Sequence, residues 1–436
     1  MKLHEELKKL DKYPFHMPGH KRNSDFDITG SDIDITEISG FDNLHEPKGL
    51  ILETEKRLAK TYKSKKSFML VNGSTVGILS AIFGVCSEGD KIIIARNCHK
   101  SVYNACMLRH LRVVYLEPEY DYVNSYYLSI TQDALDGVIS RNPDAVAVVI
   151  TNPTYEGRIS NISCPLPLIV DAAHGAHLGF YNFPNYPKGD IVISSLHKTL
   201  PALTQTAVMN IYNEKYISAA KRYLDIFETS SPSYVLMSSV SKCLDITESR
   251  KLFKSYYDML CDLREIDLYS LRLKYSDDIS KIIISTENTN ITGKELADIL
   301  RDKYSIEPEL ASLNYIILMT SVGDTKEGFD RLKSALYEID ETLIQCNETI
   351  SKKPPVPIGE SIIEYPEYTK ETELNNSIGK KAGEFVFAYP PDIPVIVPGE
   401  VITREAVDYI KSAFEKGVNI ISDSSLLPNS VLTKDD

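Results

Sequence analysis

Ser194-Ser195-Leu196-His197-Lys198-Thr199 follows an apolar, β-branched run, and Lys198 lies 27 residues after Asp171 in Val170-Asp171-Ala172-Ala173-His174-Gly175-Ala176-His177. A lysine in the polar turn after one strand and an aspartate at the end of the strand before it are the pair that pyridoxal phosphate chemistry requires. The lysine holds the cofactor aldehyde covalently, and the carboxylate keeps the pyridine nitrogen protonated so that the ring accepts electrons. The pairing implies an enzyme acting on an amino acid.

Working outward, residues 67–212 alternate short β-branched runs with helical patterns, the signature of stacked βαβ units and a mostly parallel sheet. Strands are predicted at Ser67–Val71, Lys91–Ala95, Arg112–Leu116, Ala145–Ile150, Leu168–Val170, Ile191–Ser194 and Ala207–Tyr212. Loops at their carboxyl ends are where chemistry is expected. Residues 1–50, rich in turn formers (Pro14, Pro18, Gly19, Gly30, Gly40, Pro47, Gly49), read as a wrapping arm. The large cofactor-binding domain is predicted at 51–225. A smaller α+β domain follows at 226–345, with a strand at Lys281–Ser285, a helix near Gly293–Tyr304 and a hairpin around Ile306–Thr320. A C-terminal domain spans 346–436, entered through the proline-dense Lys352–Pro357 linker and containing a helix at Thr403–Lys416.

A chain of 436 residues, 43% hydrophobic and 25% charged, buries a large core divided among domains. Its net charge of -13 opposes a general nucleic-acid or anionic-membrane surface. Seven scattered cysteines read as reduced thiols. The first ten residues lack a signal-peptide core and no run is long enough to span a bilayer, so a cytoplasmic location is expected.

Asn72-Gly73-Ser74-Thr75 lies between a strand and an amphipathic run, where helix-start amides favour an anion such as a cofactor phosphate. An ordinary turn with Ser74 or Thr75 as N-cap fits the same residues. In Arg96-Asn97-Cys98-His99-Lys100-Ser101, His99 is placed either to stack on a cofactor ring or to cap a helix, and Cys98 to pack. Asp171 would be costly to bury without a partner, and a protonated pyridine nitrogen is such a partner. His174 is spaced to face the phenolate side of the ring or the substrate. His174 and His177 as metal ligands rank below this, because no third ligand accompanies them. Ser195 and His197 stand where they can reach the same phosphate. The convergence of loops from successive strand ends makes the argument, rather than any one motif.

These residues resemble the Orn/Lys/Arg decarboxylase family, pyridoxal-phosphate enzymes with an aspartate-aminotransferase-like core (fold type I), nearly end to end. The likeness begins at Phe15-His16-Met17-Pro18-Gly19-His20-Lys21 and runs through Asp34–His45, Thr151–Gly157, Ser230-Ser231-Pro232-Ser233-Tyr234 and the Tyr389–Glu400 segment. It implies a decarboxylase of arginine, lysine or ornithine. Lys198 would carry the cofactor, Asp171 pair with the pyridine nitrogen, His99 stack on the ring and His174 lie near its edge. Ser74, Thr75, Ser195 and His197 would hold the phosphate. Ser230 and Ser231 would contribute from the partner subunit of a homodimer or larger homo-oligomer with shared active sites. Glu400 is divided between meeting the distal cation of a basic substrate and stabilising its own loop.

The chain departs from the family pattern at Ala172, where an acidic residue is common, and at Asp392, where glycine is usual. It also lacks an N-terminal response-regulator-like wing. An aminotransferase or other lyase on the same scaffold, and a cofactor-binding protein that has lost catalysis, are the competing expectations.

Overall fold

The structure is a computed structural model describing residues 2–346, 353–357, 359–388, 393–415 and 417–435. It divides into two compact units: Met1–Val85 with Ile169–Tyr257 and Ser321–Gly323, and Cys86–Leu168 with Asp258–Thr320 and Asp324–Asp436. Lys352 of the expected linker and Tyr389, Pro390, Pro391 and Asp392 lie outside the described residues.

In the first unit four strands lie in the order Lys66–Leu70, Ala207–Ile211, Ile191–Ser195, Leu168–Asp171. The first two pairings are antiparallel, and Leu168–Asp171 runs parallel to Ile191–Ser195. Runs such as Ile191-Val192-Ile193 are buried throughout, as expected of strands covered on both faces. Helix Gly73–Val85 packs against them at Gly77. A Cβ there would stand 2.8 Å from Leu70 Cδ1 and 2.9 Å from Ile193 Cγ2, so only glycine lets the helix come this close.

Helix Leu50–Tyr62 begins after Gly49, which has no side chain to cap it. Asp42 does so from a distance, accepting the backbone N–H groups of Lys48 (2.7 Å), Gly49 (2.6 Å), Ile51 (3.1 Å) and Leu52 (3.3 Å). The arm is otherwise irregular apart from helix Leu3–Leu7 and a single turn at Ser24–Phe26.

In the second unit the order is Ala145–Thr151, Lys91–Ala95, Arg112–Leu116, Glu360–Ile362; the first three are parallel and the last antiparallel. A four-stranded antiparallel sheet holds Lys281–Ser285 and the expected hairpin, Leu310–Ala311 with Tyr315–Met319. Helix Gly293–Tyr304 starts with a capping box between Thr292 and Glu295. Near the C-terminus, helix Arg404–Glu415 buries Val407 and Ile410 with Val386 and Ile396 of short strands. The short strand Glu360–Ile362 was not anticipated, since three partly exposed residues carry too little periodicity.

The Thr151–Gly157 loop is held from within this unit. Asn152 gives its amide to the Ser160 carbonyl (2.9 Å) and accepts the Ser160 N–H (3.0 Å). Glu156 is buried, with the Tyr315 hydroxyl donating to it at 3.3 Å. Burial pushes its carboxyl up to about 7, outweighing local hydrogen bonds and the charge of Lys281.

Two outcomes are expected. Asp42→Ala should cost about 1–2 kcal/mol, read in urea unfolding as a lower midpoint. Because the folded state holds the Glu156 proton more tightly than the unfolded chain, this group lowers stability as pH rises from its ordinary 4.5 towards about 7. Glu156→Gln should flatten that part of the stability–pH curve, and an unchanged curve would contradict the assignment.

Candidate functional site

Strand Ile191–Ser195 runs directly into the four-residue helix Leu196–Thr199, which carries Lys198. Its parallel neighbour ends at Asp171, opposite Ile193, so both strands deliver their functional residues at the same edge. Lys198 Nζ lies 3.0 Å from His174 Nε2. Asp171 is buried at 4% exposure, and its Oδ1 accepts the Ala173 N–H at 3.1 Å. His174 is also buried.

The expected phosphate residues belong to the same unit. Gly73 adopts a left-handed φ of 77° and donates its N–H to the Gln205 carbonyl at 2.7 Å. No atom stands within 4 Å of where its Cβ would be. Ser74 and Thr75 occupy the first turn of the 13-residue helix Gly73–Val85, whose unpaired N–H groups and dipole suit an anion. Ser195 Oγ is fully buried and has no hydrogen-bond partner among the described residues. Leaving such a group unpaired costs about 1–3 kcal/mol, which an incoming acceptor would recover. His197 Nδ1 donates to the Thr206 carbonyl at 2.9 Å. Burial lowers its pKa, the Thr206 bond opposes this, and the Lys198 charge lowers it further.

A lysine, a buried carboxylate on the adjacent parallel strand, a glycine-opened helix start and an orphaned buried hydroxyl fit pyridoxal phosphate. Ala172 is fully buried with its N–H given to the Ile193 carbonyl, so an acidic side chain at that position would enter the core. His177 packs edge-on against Phe183, with ring centroids 4.9 Å apart. Ser230 and Ser231 are exposed on this unit.

In the second unit, His99 is the N-cap of helix Lys100–Leu108. Its Nδ1 accepts the Ser101 N–H at 3.2 Å and sits 2.9 Å from Ser101 Oγ. Cys98 is fully buried. Glu400 is 7% exposed; its Oε1 meets Arg96 Nη1 at 3.3 Å and accepts the Tyr115 hydroxyl. Arg96, fully buried, also donates to the Val395 carbonyl at 3.2 Å and lies over the Tyr115 ring at 4.5 Å. No role was assigned to Arg96 from the sequence. The available signal was an arginine directly after the buried run Lys91–Ala95, where an unpaired guanidinium would be too costly.

The chain matches Orn/Lys/Arg decarboxylase, major domain, over residues 3–267, and Orn/Lys/Arg decarboxylase, C-terminal domain, over residues 364–419. It is 30% identical to an arginine decarboxylase of Bacillus subtilis (strain 168), over 93% of this chain and 91% of the relative. It is 31% identical to an arginine decarboxylase of Halalkalibacterium halodurans, with the same coverage. Among solved structures, E. coli constitutive lysine decarboxylase superposes with a TM-score of 0.80 at 18% identity, covering 99% of this chain and 82% of that one. That likeness bears out the expected aminotransferase-like α/β fold with its C-terminal domain. By its own sequence the chain belongs to the Orn/Lys/Arg decarboxylase family, enzymes that remove the carboxylate of a basic amino acid.

Proposed function

We propose that this amino-acid decarboxylase works with pyridoxal phosphate carried on Lys198, and that its substrate is arginine, lysine or ornithine. The observation that carries the reading is the 3.0 Å contact between Lys198 Nζ and His174 Nε2 beside the buried Asp171. When bound, the cofactor supplies an electron sink for the pair released as carbon dioxide departs. Asp171 keeps the ring nitrogen protonated, and the strand that presents it fixes the carboxylate in place. Ser74, Thr75, Ser195 and His197 would hold the phosphate. Lys198 Nζ holds the proton that the substrate's α-carbon takes after carbon dioxide leaves, and His174 Nε2 orients that amine.

Glu400 is assigned to its own loop rather than to the substrate. Its carboxylate already meets a guanidinium and a phenol hydroxyl, which leaves it poorly placed for a second cation. Ser230 and Ser231 are assigned to the partner subunit's site in a cytoplasmic homodimer. The outward side chains of the arm, Phe15 at 93% and Tyr13 at 75% exposure, favour such a partner, since large apolar groups in one stretch are usually covered. The division into an arm (1–50), a cofactor domain (51–225), a small domain (226–345) and a C-terminal domain (346–436) is proposed on the same reading.

Supplying the three amino acids in turn should release carbon dioxide from one of them without matching keto acid. Keto acid without carbon dioxide would mean transamination. Lys198→Ala should abolish turnover and the borohydride label at position 198, and Asp171→Ala should lower kcat at least about a hundredfold. Arg96→Met should destabilise the protein by about 3–5 kcal/mol by stranding the Glu400 charge. Adding Glu400→Gln should recover most of that loss in denaturant unfolding, whereas a substrate-binding Glu400 would show instead as a raised KM with stability unchanged.

A further inference from the structure

His45, the last residue of the Asp34–His45 stretch, is held at both ring nitrogens. Nδ1 lies 3.0 Å from Asp225 Oδ1, and Nε2 lies 2.8 Å from the Thr229 carbonyl oxygen. Both partners present acceptor oxygens to the ring. Thr229 opens the turn that carries Ser230 and Ser231, and its Oγ1 accepts the Ser231 N–H at 3.2 Å. The ring therefore ties the arm to this turn.

One residue earlier, Glu228 is 7% exposed, and neither carboxylate oxygen has a hydrogen-bond partner among the described residues. The N–H groups of Val71, Thr229 and Asn72 are directed at its carboxylate and favour the charged form. Val71 and Asn72 lead into the Asn72–Thr75 loop. Leu44, His45, Glu55, Lys221, Asp225 and Glu228 line a cavity of about 20 Å³, room for one water.

We propose that His45 and Glu228 are positioning residues, His45 for the Thr229–Ser231 turn that serves the partner subunit's site and Glu228 for the Asn72–Thr75 loop that receives this subunit's cofactor phosphate, a role that rests on the cofactor reading above. The surrounding charges are otherwise matched. Asp225 pairs with Lys221 and His45, and Glu55 takes Lys66 at 2.6 Å. Glu228 alone in this cluster has no cation at salt-bridge distance among the described residues. Burial pushes its carboxyl up to about 7, against the pull of the Val71 amide and the His45 charge. Protonated, it sets no negative charge behind a loop that receives a dianion; ionised, it opposes the phosphate. Cofactor binding therefore favours the protonated acid, and affinity falls as pH rises through about 7.

The test is an equilibrium titration of the apoprotein with pyridoxal phosphate, followed by visible circular dichroism from about pH 6 to about pH 8.5. Wild-type protein should lose about fivefold to tenfold more affinity across that range than Glu228→Gln, which cancels the phosphate's own titration. His45→Ala should weaken binding at all these pH values and speed hydrogen exchange in the peptide around Thr229–Ser231. If His45→Ala fails to fold, the nearly isosteric Glu228→Gln carries the test alone. Variants that bind with wild-type affinity and pH dependence would sink this inference while leaving the cofactor reading intact. A wild-type protein that takes up no pyridoxal phosphate would sink both.

Discussion

The parallel pairing of Leu168–Asp171 with Ile191–Ser195 is the constraint on which the site depends. Neighbouring strands lie about 4.8 Å apart, and parallel strands leave the sheet at the same end. Asp171 and the Lys198 turn are therefore neighbours by construction, although 27 residues separate them. An antiparallel pairing of the same strands would set them at opposite ends, about 15 Å apart for strands of this length. No loop adjustment could then bring one carboxylate and one amine to the two ends of a single small ring.

The strand end is held by a polar network on one face. Ser194 Oγ meets the Tyr186 hydroxyl at 2.6 Å, Asn210 Nδ2 donates to that hydroxyl at 3.0 Å, and Ser67 Oγ donates to Asn210 Oδ1 at 2.5 Å. This chain of buried polar groups locks three strands together, because breaking any link would leave its partner unsatisfied in the core. Successive residues of a strand point to opposite faces, so Ser195 turns away from this network. Its hydroxyl has no hydrogen-bond partner among the described residues.

Buried charge is handled differently at each place it occurs. Arg96 and Glu400 neutralise one another with the Tyr115 hydroxyl as a further donor, an arrangement suited to stability. Among the described residues neither Glu156 nor Glu228 has a cation at salt-bridge distance, and burial pushes both carboxyls up to about 7. The first accepts a hydrogen bond from a tyrosine in the interior of the second unit, whereas the second stands beside the Asn72–Thr75 loop. The same chemistry therefore carries a different meaning according to what lies beside it.

The sequence by itself determined the seven strands predicted between residues 67 and 212, the lysine turn, the strand-end aspartate and the order in which they follow one another. β-Branched runs and the turns that end them are local signals, and the bounds at Lys91–Ala95 and Arg112–Leu116 were legible without error. Tertiary structure decided which of several polar residues meet. The choice of His99 as a helix cap, of Arg96 as the partner of Glu400 and of Asp42 as the cap for a helix eight residues away depends on three-dimensional approach. Spacing along a chain carries no information about such approach when the contact is long-range. It shows which side chains have the chemistry, and only packing fixes the few ångströms that decide whether a carboxylate is neutralised, capped by amides or left facing a ligand.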